Sequence, residues 1–101
     1  MNQILNFLKA VKFEITDEGT NSFRALYSSK GIKLKAVYQD KVIRIWYEHF
    51  NIKRQLLGES QIEKAEDLQF ILSKNMFLKN EFPFLMKQIQ EYQFREPEAC
   101  E

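Results

Sequence analysis

Few residues in this chain of 101 could carry catalysis or hold a metal ion. The sequence contains one histidine, His49, and one cysteine, Cys100, which stands in the C-terminal stretch REPEACE. Zinc sites need several Cys, His or carboxylate ligands together, and a nucleophilic Ser or Cys needs a neighbouring base. The inventory therefore predicts no metal site, no cofactor and no catalytic residue, and we expect a protein that is not an enzyme.

His49 stands five positions after Arg44, a spacing that a family of helical RNases uses. That use requires a helix, whereas the segment around Trp46 alternates apolar and polar side chains as a strand does. On a strand, an odd separation places the two side chains on opposite faces of the sheet. We therefore expect His49 to be a packed, hydrogen-bonded residue at the rim of the core.

Residues 31–50, GIKLKAVYQDKVIRIWYEHF, form a predicted β-hairpin that would position the candidate binding residues. A two-residue loop at Asp40-Lys41 fixes the register. One face then carries the almost wholly apolar pairs Tyr38/Ile43, Ala36/Ile45, Leu34/Tyr47 and Ile32/His49. The other face carries the pairs Val37/Arg44, Lys35/Trp46 and Lys33/Glu48. Because a slip of one residue would exchange the two faces, the apolar set predicts the core side.

Apolar spacing predicts the elements on either side of this hairpin. We expect a short amphipathic helix over residues 2–11, a brief strand over residues 12–16 and a strand over residues 22–28. Residues 52–57 either return as a further strand or continue the preceding strand past a bend. A two-residue turn would give the further strand the pairs His49/Ile52, Tyr47/Arg54 and Ile45/Leu56 on the core side, with Glu48/Lys53 opposite.

Two helices are expected after the sheet. Ser60 would cap the first helix, and Glu63 three residues later would complete a capping box. That helix would run to about Lys74 and end at Asn75. Asn80 would cap the second helix, whose first turn contains a proline.

These elements predict one α+β domain over residues 1–101. It would contain an N-terminal helix, a three- or four-stranded antiparallel meander and two C-terminal helices, with residues 96–101 as a frayed acidic tail. Three helices overfill one face of such a sheet. One helix must therefore cross to the Trp46 side of the sheet or pack on the other helices.

Charge is unevenly distributed along the chain, although the net charge is only +1. Residues 23–56 carry +6, whereas residues 57–101 carry −4 and residues 1–22 carry −1. The basic and acidic parts could attract each other within the fold, or the basic part could face a partner.

The sequence also suggests a compartment. It has no apolar run near the ~20 residues that a membrane span needs and no secretory signal. Its single cysteine permits no disulfide within the chain, which suits a reducing environment. We therefore expect a cytoplasmic protein without a membrane partner.

The sheet face opposite the predicted core is the candidate binding surface. It would carry the cationic, aromatic and aliphatic side chains Arg24, Leu26, Lys33, Lys35, Val37, Val42, Arg44 and Trp46, with Lys53 and Gln55 if the further strand forms. The residues we expect to bind a partner are Arg24, Lys33, Lys35, Arg44, Trp46 and Lys53. Three alternatives stay open: a helix covers this face, a protein binds it, or a nucleic acid binds it.

The sequence favours a small non-enzymatic binding protein of the inhibitor, immunity or adaptor type, which would contact a protein partner around Trp46. Trp and Arg are enriched at the hot spots of protein interfaces. Binding of single-stranded DNA or RNA is the alternative, because bases stack on aromatic rings while cations neutralise phosphates. A symmetric dimer through a sheet edge or through the Trp46 face also stays open.

Overall fold

A computed structural model of the chain describes residues 2–49 and 53–94, except for the side chain of Lys53. In chain order, the described elements are α1 (Asn2–Ala10), β1 (Glu14–Glu18), β2 (Ser22–Ser29), β3 (Ile32–Gln39), β4 (Val42–His49), β5 (Lys53–Gln61), α2 (Ala65–Ser73), α3 (Met76–Glu81) and α4 (Pro83–Glu91). The strands form one antiparallel sheet in the order β1-β2-β3-β4-β5. The predicted α+β class and meander are confirmed, but the sheet has five strands rather than three or four.

The central hairpin has the predicted register. All the expected pairs between β3 and β4 are present, from Gln39 opposite Val42 to Ile32 opposite His49. Both loop residues have positive φ, 50° at Asp40 and 72° at Lys41, as a type I′ turn requires. The period-two alternation along the two strands therefore assigns one face of the sheet to the core.

The helices pack against this apolar face and against one another. Buried side chains of the sheet and of all four helices belong to a single cluster, which includes Phe7, Leu8, Phe23, Leu34, Ala36, Ile45, Leu68, Leu78, Leu85 and Ile89. The side-chain amide of Gln69 in α2 donates to the carbonyl oxygens of Ile89, at 2.8 Å, and Tyr92, at 2.9 Å. The three helices that follow the sheet therefore form one layer with α1.

The β4–β5 pairing differs from the expected register by one residue. His49 pairs with Lys53 and Glu48 pairs with Arg54, so three residues rather than two separate the paired ends. A two-residue loop at Phe50-Asn51 would need φ > 0 at a bulky aromatic residue, which is unfavourable. The predicted turn itself and Ile52 lie outside the described residues.

A bulge then shifts the β4–β5 register a second time. Trp46 pairs with Leu56, but Ile45 pairs with Gly58, so Leu57 is the extra residue. Beyond the bulge the ladder continues to Gln61, and this makes β5 longer than the predicted 52–57. Bulges bend and twist a sheet near its edges.

The expected capping positions after the sheet are wrong. Ser60 pairs with Ile43 inside β5, and α2 begins only at Ala65. Backbone N–H groups of Glu63 and Lys64 donate to the Asp67 carboxylate at 2.9 and 3.1 Å, which lowers the pKa of Asp67 below its usual value. Pairing with β4 therefore overrides the local N-cap signal at Ser60.

The C-terminal part contains three described helices instead of two. Asn75, which was expected to end the first helix, begins α3: its side-chain oxygen accepts a hydrogen bond from the backbone N–H of Leu78 at 2.9 Å. Asn80 lies inside α3, and α4 begins at Pro83. Residues 96–101, which were expected to form a frayed tail, lie outside the described residues.

The turn at Lys41 provides a test of the hairpin geometry. A side chain at positive φ is strained, whereas glycine adopts this conformation freely. We expect Lys41→Gly to be about 0.5–1 kcal/mol more stable than Lys41→Ala in urea unfolding, after allowing for the larger unfolded-state entropy of glycine. The alanine variant is the matched control, because both substitutions remove the ion pair of Lys41 with Glu63 at 3.4 Å. Equal stability of the two variants would contradict the type I′ turn.

Candidate functional site

The sheet face opposite the core carries the candidate site, and we call it the outer face. The aliphatic and aromatic residues Leu26, Val37, Val42 and Trp46 are partly buried but do not belong to the core or to the side chains packed against it. No helix in the described part of the chain covers these residues. Of the two alternatives expected for the helices, the crossing of one helix to this side of the sheet is therefore wrong for the described helices.

A groove of about 700 Å³ runs along the outer face. The described residues that line it all belong to strands, and they are Thr16, Arg24, Ala25, Leu26, Lys33, Lys35, Ala36, Val37, Trp46 and Arg54. Register shifts in the two outer strand pairs, between Ile15 and Asp17 and between Ile45 and Trp46, bend the sheet on either side of the groove. Among the described elements, the strands of the sheet therefore form the groove.

Two of the outer-face cations are neutralised by carboxylates on the same face. The Lys35 Nζ atom lies 3.3 Å from Glu48 Oε1, and the Arg44 Nη2 atom lies 3.2 Å from Glu59 Oε2. Both pairs join neighbouring strands of the sheet. Arg44 belongs to the basic part of the chain and Glu59 to the acidic part, so this pair joins the two parts, as the pair of Lys41 with Glu63 also does.

Three further cations on this face have no such partner among the described residues. No carboxylate lies within 4 Å of the side-chain nitrogens of Arg24, Lys33 or Arg54 in the described part of the chain. The described residues that line the groove include four cations and no carboxylate. The floor of the groove is therefore positively charged as well as partly apolar.

Trp46 occupies the centre of this arrangement. Its cross-strand neighbours are Lys35 on β3 and Leu56 on β5, and Leu56 is 40% exposed. The guanidinium carbon of Arg54 lies 4.5 Å from the centroid of the Trp46 ring, as in a cation–π contact. One face of the ring is thus covered by a cation from the neighbouring strand.

The structure brings most of the expected binding residues together. Register places Arg24, Lys33, Lys35, Arg44 and Trp46 on the outer face, and all of these except Arg44 line the groove. The expected pair of Lys53 with Glu48 on this face is wrong, because Lys53 pairs with His49 and Arg54 pairs with Glu48. The side chain of Lys53 lies outside the description.

Arg54 was not among the expected binding residues, and the expectation that Gln55 lies on the outer face is wrong. The one-residue shift in the β4–β5 register brings Arg54 onto the outer face and pairs Gln55 with Tyr47 on the core face. Conformational strain at Phe50 in a two-residue loop was the one sequence signal that argued against the expected register.

No family model, no curated protein and no solved structure matches this chain.

His49 ends β4 and pairs with Ile32 in the central hairpin. The ring stacks near Tyr47, with centroids 6.4 Å apart, and Arg44 faces the opposite side of the sheet, as expected for a strand. The described residues include no group of three or more His, Cys, Asp or Glu side chains that could hold a metal ion. Among the helices that the structure describes, none is long and apolar enough to cross a membrane.

The contact between Arg54 and Trp46 can be tested by fluorescence, since Trp46 is the only tryptophan. Arg54→Ala uncovers one face of the ring, so we expect acrylamide to quench Trp46 more efficiently in this variant. Arg44→Ala is the matched control, because it removes an arginine from the same face without touching the stacked pair. Equal quenching of the Arg54 variant and the unsubstituted protein would contradict the contact.

Proposed function

We propose that this protein binds another protein through the outer face, with Trp46 at the centre of the contact. The observation that supports this most directly is the groove lined by Trp46, Leu26 and Val37, which no described helix covers. Contiguous apolar surface rimmed by polar side chains is typical of interaction sites on soluble proteins. Such a surface suits an inhibitor, immunity or adaptor protein, and we place this role in the cytoplasm.

The composition of the outer face suits a protein interface. Energetic hot spots of interfaces are enriched in Trp, Tyr and Arg and lie in the centre of the contact, where water is excluded. Trp46 stands between Lys35 and Leu56 in the sheet and is already in contact with Arg54. The strand backbone holds these groups in place before binding, which reduces the entropy that association costs.

The mixture of charges favours a protein over a nucleic acid. Glu48 and Glu59 lie on the outer face beside the cations, and register adds Glu14 and Asp17 at its β1 edge. A protein partner can place neutral or basic side chains opposite these carboxylates. A nucleic acid carries a phosphate at every nucleotide and would be repelled by them.

Binding of single-stranded DNA or RNA is the second candidate, and one observation favours it. The described residues that line the groove include four cations and no carboxylate. This alternative predicts a steep loss of affinity with salt, since bound cations release the counterions of the phosphates they contact. The single aromatic ring, with Arg54 over one face, offers little room for stacked bases.

A photo-crosslinking amino acid at Leu26 tests the proposal in the cells that make the protein. We expect protease-sensitive adducts, because Leu26 lines the groove that the partner would fill. Adding Trp46→Ala and Lys35→Ala should abolish them, since truncation at a hot spot typically costs about 2 kcal/mol or more of binding free energy.

The matched control places the same crosslinker at Phe84, which is 68% exposed on α4 and belongs to the helix layer. Thermal unfolding of the Trp46→Ala/Lys35→Ala protein checks that the fold is intact. Nuclease-sensitive adducts at Leu26 would favour the second candidate. Protein adducts that persist in a folded Trp46→Ala/Lys35→Ala variant would contradict the proposed site.

A further inference from the structure

Three outer-face cations have no carboxylate within 4 Å among the described residues, and their positions indicate what the partner presents. Arg24 lies on β2, Lys33 on β3 and Arg54 on β5, whereas Lys35 and Arg44 are already neutralised by Glu48 and Glu59. An anionic group of the partner gains most where a cation has no carboxylate of its own. Complementary charge is therefore needed at three separate places.

The sheet register gives the distance that such a partner must span. Arg24 pairs with Val37, which in turn pairs with Arg44, whereas Arg54 pairs with Glu48, which in turn pairs with Lys33. Arg24 and Arg54 are thus three strands apart across the sheet and four residues apart along it. With a strand spacing of about 4.8 Å and a rise of about 3.4 Å per residue, their Cα atoms lie roughly 20 Å apart.

That separation excludes one small anion as the ligand of all three cations. An extended chain covers roughly 20 Å with about six residues, and its side chains on one face repeat at every second residue. Trp46, Leu26 and Val37 lie between the cationic positions. An apolar side chain in the middle of the segment would therefore meet the apolar floor, and carboxylates on either side of it would meet the cations.

We infer that the partner protein contributes an extended segment in which carboxylates flank an apolar or aromatic side chain that packs on Trp46. This inference rests on the proposed function and adds the chemistry of the partner. Charge complementarity is the basis for it: the groove lining includes Arg24, Lys33 and Arg54 and, in the part that the structure describes, no carboxylate.

The ion pair between Lys35 and Glu48 shapes this site. Lys35 stands directly between Leu26 and Trp46 in the cross-strand row, but its ammonium group lies 3.3 Å from Glu48, two residues beyond Trp46 on β4. The ion pair therefore holds the long side chain away from the row. The space between Leu26 and Trp46 is left for a side chain of the partner.

A library of phage-displayed random dodecapeptides, panned on the immobilised full-length chain, tests the inference. We expect the retained peptides to be enriched in Asp and Glu around a central apolar or aromatic residue. Synthetic copies of them should lose affinity at least about tenfold for the Lys33→Glu/Arg54→Glu variant, because two attractive contacts become repulsive. Lys87→Glu, which reverses an exposed charge on α4, is the matched control and should leave the affinity unchanged.

Trp46→Ala separates a failure of this inference from a failure of the proposed function. Retained peptides that need Trp46 but are neutral or basic would overturn the acidic segment and leave protein binding at the outer face intact. Peptides that bind equally well to a folded Trp46→Ala variant would overturn the site itself. If no peptide is retained, the extended segment is wrong, and the crosslinks at Leu26 decide on the function.

A labelled dodecathymidylate in the same binding assay tests the alternative that the groove binds single-stranded nucleic acid. We expect it to bind more weakly than the selected peptides at physiological salt. Tighter binding of the oligonucleotide, with the same loss in Lys33→Glu/Arg54→Glu, would overturn the inference in favour of nucleic acid.

Discussion

The alternation of side chains along the β3–β4 hairpin is the constraint on which the rest of the structure depends. Residues on one face are apolar almost without exception, and a shift of one residue would place Leu34, Ala36 and Ile45 in water and lysines in the core. This cost fixes the register. Because the register is fixed, the helices have one apolar face on which to pack, and Trp46 is held on the other.

The outer face owes its properties to the same geometry. Its two ion pairs join neighbouring strands, while Lys33 and Arg54, the cross-strand neighbours of Glu48, have no carboxylate within 4 Å among the described residues. Exposed pairs of this kind add little to stability, typically 0.2–1 kcal/mol. Their more important effect is on specificity, since they cancel charge at Lys35 and Arg44 and leave it at Arg24, Lys33 and Arg54.

The sequence predicts the structure correctly where residues close together in the chain determine it. Short loops and strict alternation give the β2–β3 and β3–β4 registers, and with them five of the six expected binding residues on one face. It was insufficient where tertiary pairing competes with local signals. Ser60 is a good N-cap residue, but it lies in β5 and pairs with Ile43. One more residue than expected separates the paired ends of β4 and β5, and this shift places Arg54 on the outer face, where the sequence did not predict it.

Collisional quenching of Trp46 by ions of opposite charge tests the central claim most directly, because this ring is the only tryptophan and would report both exposure and local potential. Because Arg54 covers only one face of the ring and cations surround it, iodide should quench Trp46 far more than caesium does. Replacing Lys33 and Arg54 by alanine should reduce this difference in quenching between the two ions. A ring that neither ion quenches would mean that the outer face is covered. Equal quenching by both ions would mean that it is not positively charged.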